Sequence, residues 1–128
     1  MAFQLMIVDD SPAMRDFISR VISLSGLDVG GCVHASNGEE ALALLRANWI
    51  DIILTDINMP VMNGEEFLHR VKEDEMLQSI PVLVVSTDGS EHRVQRMMEL
   101  GAKGYIQKPF SPEELRKSME GLLGVSHD

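Results

Sequence analysis

The stretch "FQLMIVDDSPAM", residues 3–14, decides the fold. An apolar run stops at two adjacent carboxylates, Asp9 and Asp10, and a helix start follows at once. Ser11 suits the cap of that helix and Pro12 its first turn. The aspartates are therefore not needed as caps. Paired negative charge at the end of a buried strand needs another reason.

Working outward, the same alternation recurs along the chain. Short apolar runs, "FQLMIV", "VGGCVHA", "DIILT", "PVLVVS" and "GYIQ", alternate with segments of helical period. Three of the runs are nearly continuous, as strands buried on both faces should be. The paired glycines at 30–31 weaken the second, because glycine lowers strand propensity. Met14, Phe17, Ile18, Val21 and Ile22 mark the first helix, with Gly26 as its stop. Ala41, Leu42, Leu44 and Leu45 mark the second, opened by a capping box of Asn37 and Glu40. Phe67, Leu68 and Val71 mark the third, and Val94, Met97 and Met98 the fourth. Asp88 and Glu91 suit a capping box for the fourth, and one of its two methionines should be core and the other partly exposed. "SPEE" opens the fifth helix, which carries Leu115, Met119, Leu122 and Leu123 inside. Five strand–helix repeats predict an α/β fold, a five-stranded parallel sheet doubly wound as (βα)5. The strand order 2-1-3-4-5 is borrowed from known flavodoxin-like sheets.

The bulk numbers set limits. A chain of 128 residues is one domain by length. A single cysteine, Cys32, cannot form an internal disulfide and fits a reducing, cytoplasmic compartment. Eleven basic against twenty acidic residues give a net charge of −9, which argues against nucleic acid or an anionic membrane as partner. Lys103 and Lys108 are the candidates for a local basic patch. No apolar run approaches the ~18 residues of a membrane span. The domain is expected to fill residues 1–124, with 125–128 a frayed tail and no output domain.

Polar residues interrupt the strands at one kind of place. Asp9 and Asp10 follow the first strand, and Asp56 follows the third in "LTDINMPVMNG". Ser86 closes the fourth and Lys108 follows the fifth. In a parallel sheet those ends share one edge, and open α/β sheets bind ligands there, where strand order reverses. The order 2-1-3-4-5 sets Asp10 beside Asp56. Two carboxylates about 4 Å apart repel by roughly 4 kcal/mol at an effective dielectric of about 20, so three need a cation or protons. An oxygen-only, water-open set suits Mg²⁺, with the Asn58 backbone carbonyl as a further ligand. Asp56, alone on its strand, is the candidate nucleophile or phosphoryl acceptor. Lys108 and Ser86 would face the phosphoryl oxygens, since such transfer needs mainly positioning and charge neutralisation.

In order and spacing, "VDDS", "LTDINMPVMNG", "VVST" and "GAKGYIQKPF" resemble the receiver domain of bacterial two-component response regulators, especially its stand-alone CheY-like members. The likeness covers essentially the whole chain. It implies that Asp56 takes a phosphoryl group from a sensor histidine kinase, so that the protein promotes only its own phosphorylation and dephosphorylation. It implies Mg²⁺ held by Asp10 directly, by Asp9 through water, by Asp56 and by the Asn58 carbonyl. It also implies a switch in which Ser86 moves toward the phosphoryl group and Tyr105 turns inward, altering the face of the fourth helix, fifth strand and fifth helix. That face would bind a downstream effector, phosphatase or phosphotransfer protein, with the chain a monomer or a phosphorylation-dependent dimer. The bond before Pro109 is expected to be cis. Thr87 stands where the family usually has alanine, and with Asn58 and Asp88 it is expected to tune self-dephosphorylation.

Plainer readings stand beside these. Alone, the acidic pair would be a solvated loop, Ser86 a strand-end hydroxyl and Tyr105 a half-buried core ring. His34, His69, His92 and His127 lack ligand spacing. Trp49 should lie at the sheet end away from the carboxylates. The rival functions are an Mg²⁺-dependent phosphohydrolase with an aspartyl nucleophile, a phosphorelay shuttle and a flavodoxin-like carrier. "TDIN" lacks the second acid such a hydrolase uses, and no phosphate-cradling glycine loop follows the first strand.

Overall fold

The computed structural model describes residues 2–124. Strands β1 (Phe3–Val8), β2 (Val29–Ala35), β3 (Ile52–Thr55), β4 (Val82–Ser86) and β5 (Gly104–Gln107) alternate with five helices. The helices are α1 (Pro12–Leu24), α2 (Gly38–Ala47), α3 (Gly64–Glu73), α4 (Glu91–Glu99) and α5 (Pro112–Leu123). All strand pairs are parallel and the order is β2-β1-β3-β4-β5. His127 and the expected tail lie outside the described residues.

The side-chain alternation of the strands builds two cores. Leu5, Ile7, Ile52, Leu54, Leu83 and Val85 point to one face and pack with Ile18, Ile22, Leu115 and Met119 of α1 and α5. Met6, Val8, Ile53, Val82 and Val84 point to the other and meet Leu45, Phe67, Val71 and Met97 of α2, α3 and α4. Strands covered on both faces have no polar side, so their sequences read as unbroken apolar runs.

Local chemistry fixes the ends. Ser11, Asn37, Asn63 and Ser111 each cap a helix by accepting a backbone N–H three residues on, and Ser111 with Glu114 forms a full capping box. Two expectations are corrected here. Glu40 does not close a box with Asn37, because its carboxylate accepts the Ser36 hydroxyl instead. Asp88 is not the cap of α4; Ser90 is, accepting the Arg93 N–H, while Asp88 accepts the Ser90 N–H one turn earlier.

The glycine pair does not break β2. The Gln4 side chain of β1 lies across Gly30 and Gly31 and would be struck by a Cβ at either position. Phe17, read as part of the α1 core stripe, is 48% exposed and meets the Phe110 ring at 6.0 Å between centroids. Met97 is the buried methionine of the pair and Met98 the exposed one. No described helix is long and apolar enough to cross a membrane.

Candidate functional site

Register carries the carboxylates together. Val8 pairs with Thr55 across β1 and β3, and the Asp56 N–H donates to the Val8 carbonyl at 2.9 Å, so the residues that follow the two strands are neighbours. On the far side of β3, Thr55 pairs with Val84, and Ser86 pairs with Gln107. The Lys108 N–H donates to the Ser86 carbonyl at 2.8 Å, which brings the lysine to the same sheet edge.

There, one oxygen from each of Asp9, Asp10 and Asp56 lies within 4.8 Å of the others. Asp9 is buried and already occupied: Oδ1 accepts the Ser11 N–H at 2.9 Å and Oδ2 accepts Lys108 Nζ at 3.1 Å. Lys108 Nζ also reaches Asp56 Oδ2 at 3.7 Å. Asp10 is exposed, so its carboxylate is open to water. Asp56 Oδ1 accepts the Ile57 N–H at 2.7 Å, which leaves Oδ2 toward the lysine.

The electrostatics follow from this crowding. Burial raises the Asp56 carboxyl above its ordinary value, against the Ile57 hydrogen bond and Lys108, with Asp9 and Asp10 adding to the rise. The donor set is all oxygen, strongly anionic and open on the Asp10 side. Such a set fits a hard divalent cation that keeps waters. One lysine does not balance three carboxylates.

The loop from Asp56 to α3 is held tightly. The Gly64 N–H donates to the Ile57 carbonyl at 2.7 Å, and a Cβ on Gly64 would collide with the Asp56 carbonyl oxygen. Asn58 is exposed beside the carboxylates in sequence, and Val61 takes φ 67°, a region that branched side chains rarely enter.

Ser86 is fully buried at the end of β4, and its Oγ accepts the Asp88 N–H at 3.2 Å. Tyr105 is half-buried, its hydroxyl donating to the Asp88 carbonyl, and burial raises its phenol. Thr87 is exposed and the Lys108–Pro109 bond is cis. Hydrogen bonds from Ser90, with Arg93 nearby, hold the Asp88 carboxyl below its ordinary value.

Two features escape the sequence reading. Arg15, in α1, donates to the Asp9 main-chain carbonyl and so braces the acidic loop. The available signal was a cation near the start of a helix with no acid in its first turn, against the dipole preference. The second is Glu65, which takes both Arg93 and Arg96 of α4.

A fold with this edge and this charge set defines a phosphoryl-accepting signalling module. The comparisons agree: the response regulator receiver domain model matches residues 5–120. The chain is 35% identical over 123 residues to a chemotaxis protein CheY homologue of Campylobacter jejuni, covering 95% of this chain and 93% of that one. Among solved structures, the chemotaxis response regulator CheY4 of Vibrio cholerae superposes with a TM-score of 0.85 at 33% identity, covering 96% of this chain and all of that one. CheY from the CheX–CheY–BeF3–Mg²⁺ complex of Borrelia burgdorferi superposes at 0.83 with 28% identity, covering 94% of this chain and 88% of that one. The chain belongs to the response regulator receiver domain family. The hydrolase and flavodoxin-like readings are not favoured.

Proposed function

We propose that Asp56 is the phospho-acceptor of this receiver domain and that Mg²⁺ sits among Asp9, Asp10, Asp56 and the Asn58 carbonyl. The observation that carries the reading is the meeting of Asp10, Asp56 and Lys108 at the edge where β1 and β3 end. When bound, the ion supplies positive charge to the phosphoryl oxygens and lowers carboxylate repulsion.

The residues divide the work. Asp10 offers an open carboxylate for direct coordination, whereas Asp9, tied to Lys108 and Ser11, acts through water. Asp56 Oδ2 attacks the phosphorus of a phosphohistidine, the P–N bond breaks and the nitrogen keeps the electron pair. Lys108 Nζ, 3.7 Å from Asp56 Oδ2, is close enough to pair with the incoming phosphoryl oxygens. Ser86 then leaves the Asp88 N–H and hydrogen-bonds the phosphoryl group, and Tyr105 follows the loop through its bond to the Asp88 carbonyl. Charge-assisted bonds of this kind are roughly twice as strong as neutral ones. Thr87, Asp88 and Asn58 flank the path of an attacking water and set how long the acyl phosphate lasts.

The partners are a sensor histidine kinase as donor and, at the face of α4, β5 and α5, an effector, phosphatase or phosphotransfer protein. The CheX–CheY complex is a precedent for a protein partner of a similar domain. The test is labelling by a small phosphodonor such as acetyl phosphate with Mg²⁺. The wild type should take up one phosphoryl group and Asp56→Asn none. Equal labelling of Asp56→Asn would refute the assignment. Repeated turnover of an aryl phosphate would instead favour a hydrolase.

A further inference from the structure

Helix α4 is anchored differently from the other helices. Its only fully buried residue is Met97, and Val94 is partly buried. Apolar contact therefore supplies little of its grip. Two arginines on one side, spaced i and i+3, reach instead to the first turn of α3. Arg93 Nη1 lies 3.4 Å from Glu65 Oε2 and Arg96 Nε 2.7 Å from Glu65 Oε1. Arg93 Nε also lies 3.5 Å from Asp88 Oδ2, on the loop after β4.

An isolated exposed ion pair contributes little. Here one carboxylate holds two arginines, and its own position is unusually fixed. Glu65 follows Gly64, whose N–H is bonded to Ile57 and whose Cα lies against the Asp56 carbonyl. A displacement of the acceptor backbone is thus passed to Glu65 through one residue, and from Glu65 to α4 through two ion pairs.

We infer that Glu65 is a positioning residue, a charge clamp that holds α4 to the acceptor loop and reports the state of Asp56 to the α4 surface. This route starts from the loop after β3, whereas that of Ser86 and Tyr105 runs through the loop after β4, and the two meet where Arg93 lies against Asp88. Its relay function rests on Asp56 being the acceptor; the clamp itself does not.

Hydrogen exchange read by mass spectrometry tests both parts on the full chain. Glu65→Gln and Arg96→Gln are compared with Glu66→Gln, which removes only the pair between Glu66 and Arg70 within α3. Without phosphoryl ligand, amides of residues 91–99 should exchange roughly fivefold faster in Glu65→Gln and Arg96→Gln, and remain near wild type in Glu66→Gln. High salt should speed α4 exchange more in the wild type than in Glu65→Gln, which keeps only the Arg93–Asp88 pair. With Mg²⁺ and beryllofluoride, the wild type should change its α4 exchange, and Glu65→Gln should lose at least half of that change while still binding the ligand. Unaltered α4 exchange in Glu65→Gln overturns the clamp. Faster α4 exchange with a full beryllofluoride response overturns the relay. No beryllofluoride response in the wild type overturns the acceptor reading and the relay with it, leaving the clamp supported by the first comparison.

Discussion

Replacing Asp56 with asparagine should stabilise the metal-free protein, although it removes the proposed phospho-acceptor. At neutral pH the Asp56 carboxylate faces Asp9 and Asp10 with oxygens within 4.8 Å, and each such pair costs about 3.5 kcal/mol at an effective dielectric of about 20. Lys108 at 3.7 Å offsets about 4.5 kcal/mol on the same scale. The residue is a net repulsion, trimmed by the exposure of Asp10, to which burial of the carboxylate adds. Asn should therefore gain about 2 kcal/mol, or roughly 8 °C in Tm for a domain this size.

The pH dependence has a definite sign. Burial raises the folded Asp56 carboxyl above its ordinary 3.8. Between the unfolded and folded values the native state binds the extra proton, so wild-type stability falls as pH rises through that interval. The two proteins should converge below the unfolded value and separate fully above the folded one. Mg²⁺ should invert the order: at about a hundredfold excess over its dissociation constant, binding adds about 2.7 kcal/mol to the wild type and much less to a variant lacking one ligand. Urea unfolding in EDTA and in Mg²⁺, from pH 4 to 8, measures all of this. A destabilised Asn variant in EDTA at pH 7, or an equal Mg²⁺ response, would refute the charge-crowding argument.

Gly64→Ala should cost about 3 kcal/mol, because its Cβ meets main chain that cannot rotate away; urea unfolding reads the loss, and phosphodonor labelling should fall with it. Ser90→Ala should cost about 1 kcal/mol through the lost cap of α4, and amide exchange at residues 91–94 should rise more than in Asp88→Ala. Trp49, 80% exposed with its indole N–H on Asp51 at 3.0 Å, sits before β3 at the edge opposite the carboxylates. Its fluorescence should stay nearly constant during Mg²⁺ titration, and strong quenching would contradict the placement.

How much of this was legible depends on what each feature is made of. The strands were readable because burial on both faces leaves no polar alternation, and the caps at Ser11 and Ser111 because the side chain and its N–H partner lie within one turn. The strand order was not readable. Residues 3–8 carry no sign of which strand will pair beside them, so 2-1-3-4-5 had to come by analogy. Asp88 shows how local signals compete. "DGSE" offers two overlapping caps, and Ser90 prevails because Asp88 is drawn back onto the Ser90 N–H and toward Arg93. Glu40 loses its box in the same way, to Ser36.

The site divides along the same line. Asp9, Asp10, Asp56, Ser86 and Lys108 could be picked out because each breaks an apolar run at its carboxyl end, and parallel pairing turns that shared position into proximity. Glu65, Arg93 and Arg96 break nothing. They sit on solvent-facing turns where charge is expected, and only coordinates bring residue 65 beside residues 93 and 96. Charges that face the sheet edge leave a trace in hydropathy, whereas charges that tie one helix to another leave none. The acceptor chemistry of this domain is thus written in its strands. The proposed control of its α4 surface lies in pairs that a one-dimensional pattern does not register.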